Sequence, residues 1–196
     1  DEDFWSQYGY IEGRPKEIPA TSRDVDIMAD VFSADNALLG APFTVVLKDS
    51  DATMWGVEAA LQDLIYSMKR DDYLVIYFSG HGVGEEKHPF DGIVLYDDFM
   101  SDQELEDIIT KYVDNRNLSL SDVTLLIDSC YSGSFADGMT RPKRKAFKKD
   151  GYTVIASSQP HEESWTRDDN NSLFTYYLEQ GLGAQYADSN GDGVIY

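Results

Sequence analysis

Cysteine is almost absent from this chain of 196 residues, in which Cys130 is the only one. A single thiol cannot form a disulfide within the chain, which excludes a disulfide-stapled scaffold. No apolar run approaches the roughly 18 residues that a membrane-spanning helix needs. The acidic start, Asp1 to Asp3, does not resemble a secretory signal. We therefore expect a globular domain without a membrane segment. A single cysteine does not settle the compartment, and a signal segment could have been removed; our expectation is the cytoplasm.

Basic residues are also scarce, with 16 Lys and Arg against 36 Asp and Glu and a formal net charge of −20. This charge argues against nucleic acid or an anionic membrane as the main partner, because both are polyanions. It favours cationic substrates or bound metal cations, although an acidic surface also serves solubility alone. The hydrophobic fraction of 42% is enough for a packed core and argues against disorder.

Strand patterns alternate with helix patterns along the chain. Short β-branched or aromatic runs predict buried strands at residues 43–47, 73–78, 123–127 and 152–156. Apolar spacing predicts two amphipathic helices, one through Val25, Met28, Ala29 and Phe32, and one through Met54, Val57, Leu61, Leu64, Ile65 and Met68. A capping box from Ser101 to Glu104 starts a third, which buries Leu105, Ile108, Ile109 and Tyr112, and a fourth covers 173–182.

This alternation predicts one α/β domain over residues 1–196 with a mostly parallel sheet. Two features suggest that the domain is incomplete. The first helix pattern begins near residue 22 with no hydrophobic strand before it. The last segment, 188–196, stops within a loop. We therefore expect the domain to lack its first strand and its C-terminal end.

Reactive side chains follow two of the predicted strands. One strand runs into Ser79-Gly80-His81-Gly82 and the other into Asp128-Ser129-Cys130. Because functional groups gather at the carboxyl ends of parallel strands, we expect His81 and Cys130 to face each other across a cleft. A thiolate nucleophile needs a nearby imidazole to form it and to protonate the leaving amine. The N–H groups of Gly82 and Cys130 suit an oxyanion hole, and no third side chain is evident, so we predict a dyad.

These motifs resemble those of the caspase-like peptidases, most of all the metacaspases and prokaryotic caspase homologues. The resemblance extends to residues 155–158 and 172–175 and to the helix beginning near Ser22. It implies a caspase-hemoglobinase-like three-layer α/β sandwich and peptide hydrolysis through a thioester. The catalytic chemistry in this family requires no cofactor. The chain departs from the family in having no recognisable first core strand.

Asp128 lies two residues before the nucleophile, and strand alternation places both on one side of the sheet. A carboxylate there pairs with arginine or lysine, which predicts cleavage after a basic residue. The resemblance also assigns Ser79 and Ser157 to substrate binding. It implies a further pocket acid near the N-terminus, for which Asp1 or Asp3 is a candidate. The alternative for Asp128 is a structural carboxylate that caps the following turn.

Six of the 16 basic residues fall within residues 141–149. Relatives carry the loop that is cut during maturation at this place, so an enzyme selective for basic residues would find its own substrate there. We expect self-cleavage near Lys143, Arg144 or Lys145. A solvated basic loop that binds an acidic partner is the alternative.

The resemblance also implies calcium, bound by Asp97, Asp102 and Asp137, although Gln103 stands where the family usually has another aspartate. A separate segment, 188–195, matches the first eight positions of an EF-hand loop through Asp188, Asn190 and Asp192. Its acid at position 12 would fall beyond residue 196. Solvated surface acids and an Asx turn are the respective alternatives.

Two other classes of function compete with a caspase-like peptidase. A caspase-like fold retained as a silent regulatory or binding module would usually lose His81 or Cys130, and this chain keeps both. An α/β-hydrolase with His161 as its base would need glycine where Asp128 stands. Gly80-His81-Gly82-Val83-Gly84 does not fit a nucleotide-binding loop.

Overall fold

The computed structural model describes residues 16–33, 43–85, 88, 90–139, 151–167, 170–184 and 186–191, without the side chains of 137–139. These ranges contain four α-helices, which are α1 (Pro19–Ser33), α2 (Met54–Ser67), α3 (Asp102–Arg116) and α4 (Leu173–Leu178). Their strands are β1 (Leu74–Ser79), β2 (Gly82–Val83), β3 (Gly92–Val94), β4 (Phe99–Ser101), β5 (Val123–Asp128), β6 (Thr153–Ala156), β7 (Thr166–Arg167) and β8 (Asn171–Ser172). Short 3-10 helices cover Asp49–Asp51, Leu120–Asp122 and Ser132–Met139, and a π-helical turn, Glu179–Gly183, extends α4.

Strands β1, β5 and β6 form a parallel sheet in that order. They confirm the strands predicted at 73–78, 123–127 and 152–156. Antiparallel β2, β3 and β4 form a second small sheet, and β7 pairs with β8. In the parallel sheet the last registered pair of β1 and β5 is Ser79 with Asp128.

Helices cover both faces of the parallel sheet. On one face Leu125 and Ile127 of β5 join a core cluster with residues of α2 and α3, among them Ile65 and Ile109. Asp128 has the opposite parity along the strand and bonds to Thr175 of α4. Helix α1 contacts β1, β8 and α4. This arrangement confirms the three-layer α/β expectation.

The strand predicted at residues 43–47 is wrong. These residues are extended but pair with no strand in the described part of the chain. Phe43 is 69% exposed and Val46 44% exposed. A β-branched, aromatic run favours extended backbone, but it becomes a strand only where a neighbouring chain supplies hydrogen bonds.

The helix predictions largely hold. Ser101 and Glu104 form the predicted capping box of α3, and the fourth helix is confirmed as α4 with its π-helical continuation. The buried positions of α1 are Ala20, Asp24, Met28 and Val31. Met28 was predicted, whereas the other predicted positions, Val25, Ala29 and Phe32, are only half-buried. The true buried face therefore carries a carboxylate. None of the described helices has the length and apolar character needed to cross a bilayer.

Candidate active site

The parallel register brings the two predicted catalytic loops together. Ser79 pairs with Asp128 at the ends of β1 and β5, and the amide of Gly80 donates to the carbonyl of Asp128 over 3.1 Å. His81 and Cys130 each stand two residues beyond the registered pair. Neighbouring strands therefore present imidazole and thiol at the same sheet edge, as the sequence predicts.

Close backbone contact joins the same two loops at Gly82. A Cβ atom added to Gly82 would lie 1.9 Å from the carbonyl oxygen of Cys130 and 2.8 Å from Oγ of Ser129. Only glycine fits such an approach. The peptide units of Gly82 and Cys130 are thus adjacent, which a shared oxyanion hole requires.

A main-chain carbonyl orients the histidine. Nε2 of His81 lies 2.5 Å from the carbonyl oxygen of Lys16. Since a carbonyl only accepts, Nε2 carries the proton in this contact, which leaves Nδ1 unprotonated in a neutral imidazole. The sequence could not predict this partner of His81, because it is a main-chain carbonyl and every residue has one.

The turn after Cys130 is held in an unusual backbone conformation. Tyr131 has a φ of +61°, in the left-handed region, and its amide donates to the carbonyl of Glu162 over 2.8 Å. The amide of Ser164 points at Sγ of Cys130, 3.4 Å away. Residues 162–164 therefore fix the loop that presents the thiol.

Asp128 is buried beside this loop, with an exposed fraction of 3%. Its carboxylate accepts hydrogen bonds from Ser164 Oγ at 3.2 Å, from Thr175 Oγ1 at 3.0 Å and from Ser172 Oγ. Burial raises the pKa of Asp128, and the hydroxyl donors partly offset that rise. The sequence predicted its place but not the hydroxyls around it.

A second buried carboxylate, Asp24 of α1, lies next to Asp128. Ser172 links them, since its amide donates to Asp24 at 3.0 Å while its hydroxyl donates to Asp128. Ser79 Oγ also donates to Asp24, over 2.9 Å. Burial is the main cause that raises the pKa of Asp24, and the charge of Asp128 adds to it. The predicted pocket residue Ser79 thus belongs to this cluster.

Sequence analysis missed Asp24 and looked for the second acid at Asp1 or Asp3, which lie outside the described residues. A signal for it was available. Asp24 stands four residues after Ala20 and four before Met28, so it shares their helix face. An acid within an apolar stripe is the kind of buried charge that marks a site.

Comparison with known proteins identifies the family. A family model described as "Caspase domain" matches residues 6–192. The chain belongs to the caspase family. At the level of that family, the caspase domain is a cysteine peptidase, a class of hydrolase.

Two solved structures share the fold of this caspase domain. A protein of Geobacter sulfurreducens is 19% identical, with a TM-score of 0.61 over 92% of this chain and 78% of its own. Caspase-1 of Spodoptera frugiperda is 18% identical, with a TM-score of 0.58 over 90% of this chain. The match spans 64% of that caspase-1 chain. A search of curated proteins finds no match.

Serine hydroxyls form hydrogen bonds with the loop that carries Cys130. Ser157 Oγ accepts from the amide of Ser129 at 3.1 Å and donates to Ser164 Oγ at 3.0 Å. Ser158 Oγ donates to the carbonyl of Ser129 at 3.0 Å and accepts from the amide of Ser132 at 3.1 Å. Ser157, predicted to bind substrate, therefore lies between the loop that carries Cys130 and the hydroxyls around Asp128.

The predicted calcium ligands are not gathered into a site in the part of the chain that can be described, where no group of three or more His, Cys, Asp or Glu is placed to hold a metal. Asp97 accepts from the amide of Met54 at 2.9 Å, at the start of α2. Asp102 begins α3, and burial together with the charges of Asp91 and Glu106 raises its pKa to about 6. The side chain of Asp137 is outside the description, so calcium binding stays a prediction.

Other predicted features fall partly outside the described residues. Asp188 Oδ1 accepts from the amide of Gly191 at 2.7 Å, an Asx-type turn within the EF-hand-like segment. Asn190 follows in the same turn, whereas Asp192 is outside the description. The basic segment 141–149 also lies outside it.

Proposed function

We propose that this caspase domain is a cysteine endopeptidase that cleaves after arginine or lysine. Cys130 is the nucleophile, His81 its general base and acid, and Asp128 with Asp24 selects the basic side chain. The alternative is a caspase-like module without activity. Retention of both Cys130 and His81 at one sheet edge favours the enzyme.

The chemistry follows from the positions of these groups. His81 Nδ1 takes the thiol proton while Sγ of Cys130 attacks the scissile carbonyl carbon, and the oxyanion forms near the N–H groups of Gly82 and Cys130. The C–N bond then breaks, His81 returns the proton to the leaving amine, and a thioester remains. Water, deprotonated by His81, hydrolyses the thioester and restores the thiol. The Lys16 carbonyl stabilises the imidazolium through Nε2–H.

One observation supports the proposed specificity for arginine or lysine. Asp24 and Asp128 are both buried, and no described Lys or Arg side chain forms an ion pair with either. Burying a carboxylate without an ion pair is costly, and burial is the main cause that raises the pKa of both groups, although the charge of Arg23 lowers that of Asp24. A guanidinium or ammonium group of the substrate would supply the missing charge.

Turnover of fluorogenic peptides tests this function. Matched peptides ending in Arg, Lys or Asp are compared on the wild type and on Cys130→Ala, with and without calcium. We expect cleavage after Arg and Lys only, and none by the variant. Cleavage after Asp but not Arg would contradict the role of Asp128. No cleavage of any peptide in either condition would favour the silent module.

Self-cleavage in residues 141–149 is part of the proposal. The segment offers several basic residues to an enzyme that selects them. Mass spectrometry of purified protein should find new termini after Lys143, Arg144, Lys145 or a basic neighbour in the wild type, and none in Cys130→Ala. If both proteins stay uncut with calcium present, self-processing is wrong.

A further inference from the structure

A tyrosine hydroxyl lies behind the buried carboxylate of Asp128. Tyr77 belongs to β1 and stands two residues before Ser79, so both side chains leave the same face of the strand. The hydroxyl of Tyr77 lies 2.5 Å from Oγ1 of Thr175, a fully buried residue of α4. Oγ1 of Thr175 in turn donates to Oδ2 of Asp128 over 3.0 Å. The proposed mechanism gives Tyr77 no role.

The chemistry of these three groups sets the direction of both hydrogen bonds. A carboxylate only accepts, so the single hydroxyl proton of Thr175 goes to Asp128. The bond between Tyr77 and Thr175 therefore needs the phenol proton, which makes Tyr77 the donor. Burial raises the pKa of Tyr77, and the charge of Asp128 adds to that rise, so the phenol keeps its proton. The two hydrogen bonds form a relay that ends on the carboxylate.

The relay fixes the direction in which the threonine hydroxyl points. A hydroxyl group rotates and has no fixed donor direction of its own. The proton of Tyr77 occupies one side of the Thr175 oxygen, which leaves the proton of Thr175 directed toward Asp128. Hydrogen bonds linked in this way also strengthen one another. Since Ser164 donates to the other carboxylate oxygen, Oδ1, over 3.2 Å, both oxygens of Asp128 are held.

We propose that Tyr77 is a positioning residue for the recognition of arginine or lysine, and that it acts through Thr175 on the carboxylate of Asp128. A guanidinium group pairs with a carboxylate through two parallel hydrogen bonds, so the strength of the pair depends on how the carboxylate is oriented. The inference rests on the proposed function and deepens it, because it names the group that holds the selecting carboxylate in place.

Tyr77→Phe tests this role, because it removes one hydroxyl and keeps the ring. The kcat/KM values are compared for peptides with Arg or citrulline at the cleaved position, citrulline having the shape of arginine without its charge. We expect the preference for Arg to fall roughly five-fold, the size of one buried hydrogen bond, with the rate on citrulline nearly unchanged. Thr175→Val should lose at least as much, whereas Thr175→Ser keeps the hydroxyl and should retain most of the preference.

Tyr152 provides a matched control on the side of the sheet that α3 covers. Its hydroxyl lies 3.1 Å from Oγ1 of Thr110, so the same pair of side chains occurs there away from Asp128. Tyr152→Phe should keep the full preference for Arg. In an Asp128→Asn background, Tyr77→Phe should lower the preference no further. A full preference in Tyr77→Phe, or an equal loss in Tyr152→Phe, would overturn the positioning role, while cleavage after Arg would leave the proposed function standing.

Urea unfolding tests the relay without catalysis. Because the two hydrogen bonds are linked, Tyr77→Phe should lower the free energy of unfolding less in a Thr175→Val background than in the wild type. Equal losses in both backgrounds would overturn the relay, whatever the peptides show.

Peptide binding replaces the rate assay if the wild type cleaves nothing. The affinities of Cys130→Ala for the Arg and citrulline peptides are measured by fluorescence anisotropy, with and without Tyr77→Phe. A preference for Arg that falls with Tyr77→Phe would support the positioning role, and an undiminished preference would overturn it. No preference for Arg in either assay would refute the proposed function, and the positioning role with it.

Discussion

Replacing Asp128 by asparagine tests the basis of specificity most sharply. The substitution keeps the shape of a side chain that is 3% exposed. It removes the charge and replaces one of the two accepting oxygens by an NH2 donor. Removing one partner of a buried ion pair costs about 3–5 kcal/mol, or roughly 100- to 5,000-fold in kcat/KM. Asp24 remains next to the site and still attracts a cation, so we expect the lower end, about 100-fold.

The assay compares Arg with citrulline at the cleaved position, because citrulline is a neutral copy of arginine. Wild type should cleave the Arg peptide far faster, and Asp128→Asn should lose most of that preference while its rate on citrulline changes little. If Asp128→Asn kept the preference for the Arg peptide over the citrulline peptide, the Asp128 carboxylate would not be the group that selects a positively charged side chain. A urea unfolding curve shows that the variant is folded.

Three further outcomes follow from the same structure. Gly82→Ala places a methyl group against the carbonyl of Cys130, so we expect kcat/KM to fall by at least about 100-fold in the peptide assay; a rate within a few-fold of wild type would contradict the oxyanion geometry. Because the folded state raises the pKa of Asp24, it keeps that proton to a higher pH than the unfolded chain, and the free energy of unfolding should fall as pH rises above about 4. Urea titrations at several pH values should show a smaller fall for Asp24→Asn. An identical pH profile in the variant would show that ionisation of Asp24 does not change the free energy of unfolding. If Asp102 and Asp137 bind calcium, calcium should stimulate peptide cleavage by wild type but not by Asp102→Asn or Asp137→Asn; equal stimulation of all three proteins would remove these residues as ligands.

Strand ends were the most predictable part of the site. One short buried run is followed by the glycine-flanked His81, and another is followed by Asp128 and Cys130. Because the two strands are parallel and in register, both loops lie at the same edge of the sheet. Local sequence carries this information, because burial on both faces leaves a nearly continuous apolar run. The capping box of α3 was predictable for the same local reason.

Contacts between groups far apart in sequence were not predictable, although the helix pattern of α1 could have marked Asp24 itself as buried. Asp24 reaches Asp128 through Ser172, 148 residues further along the chain, and no local pattern announces that contact. The carbonyl of Lys16 bonds to His81 from a segment 65 residues away and carries no side-chain signature. The strand prediction at residues 43–47 was wrong for a related reason, because strand propensity does not show whether a partner strand is adjacent.

Covalent labelling measures the central claim most directly. A peptidyl chloromethylketone with arginine at its reactive end is incubated with the wild type, with Cys130→Ala and with Asp128→Asn, and the intact masses are read. We predict one adduct on the wild type, mapped to Cys130, none on Cys130→Ala and much slower labelling of Asp128→Asn. Labelling that persists without Cys130, or that proceeds equally well with an aspartyl reagent, would contradict a thiol nucleophile beside an anionic pocket.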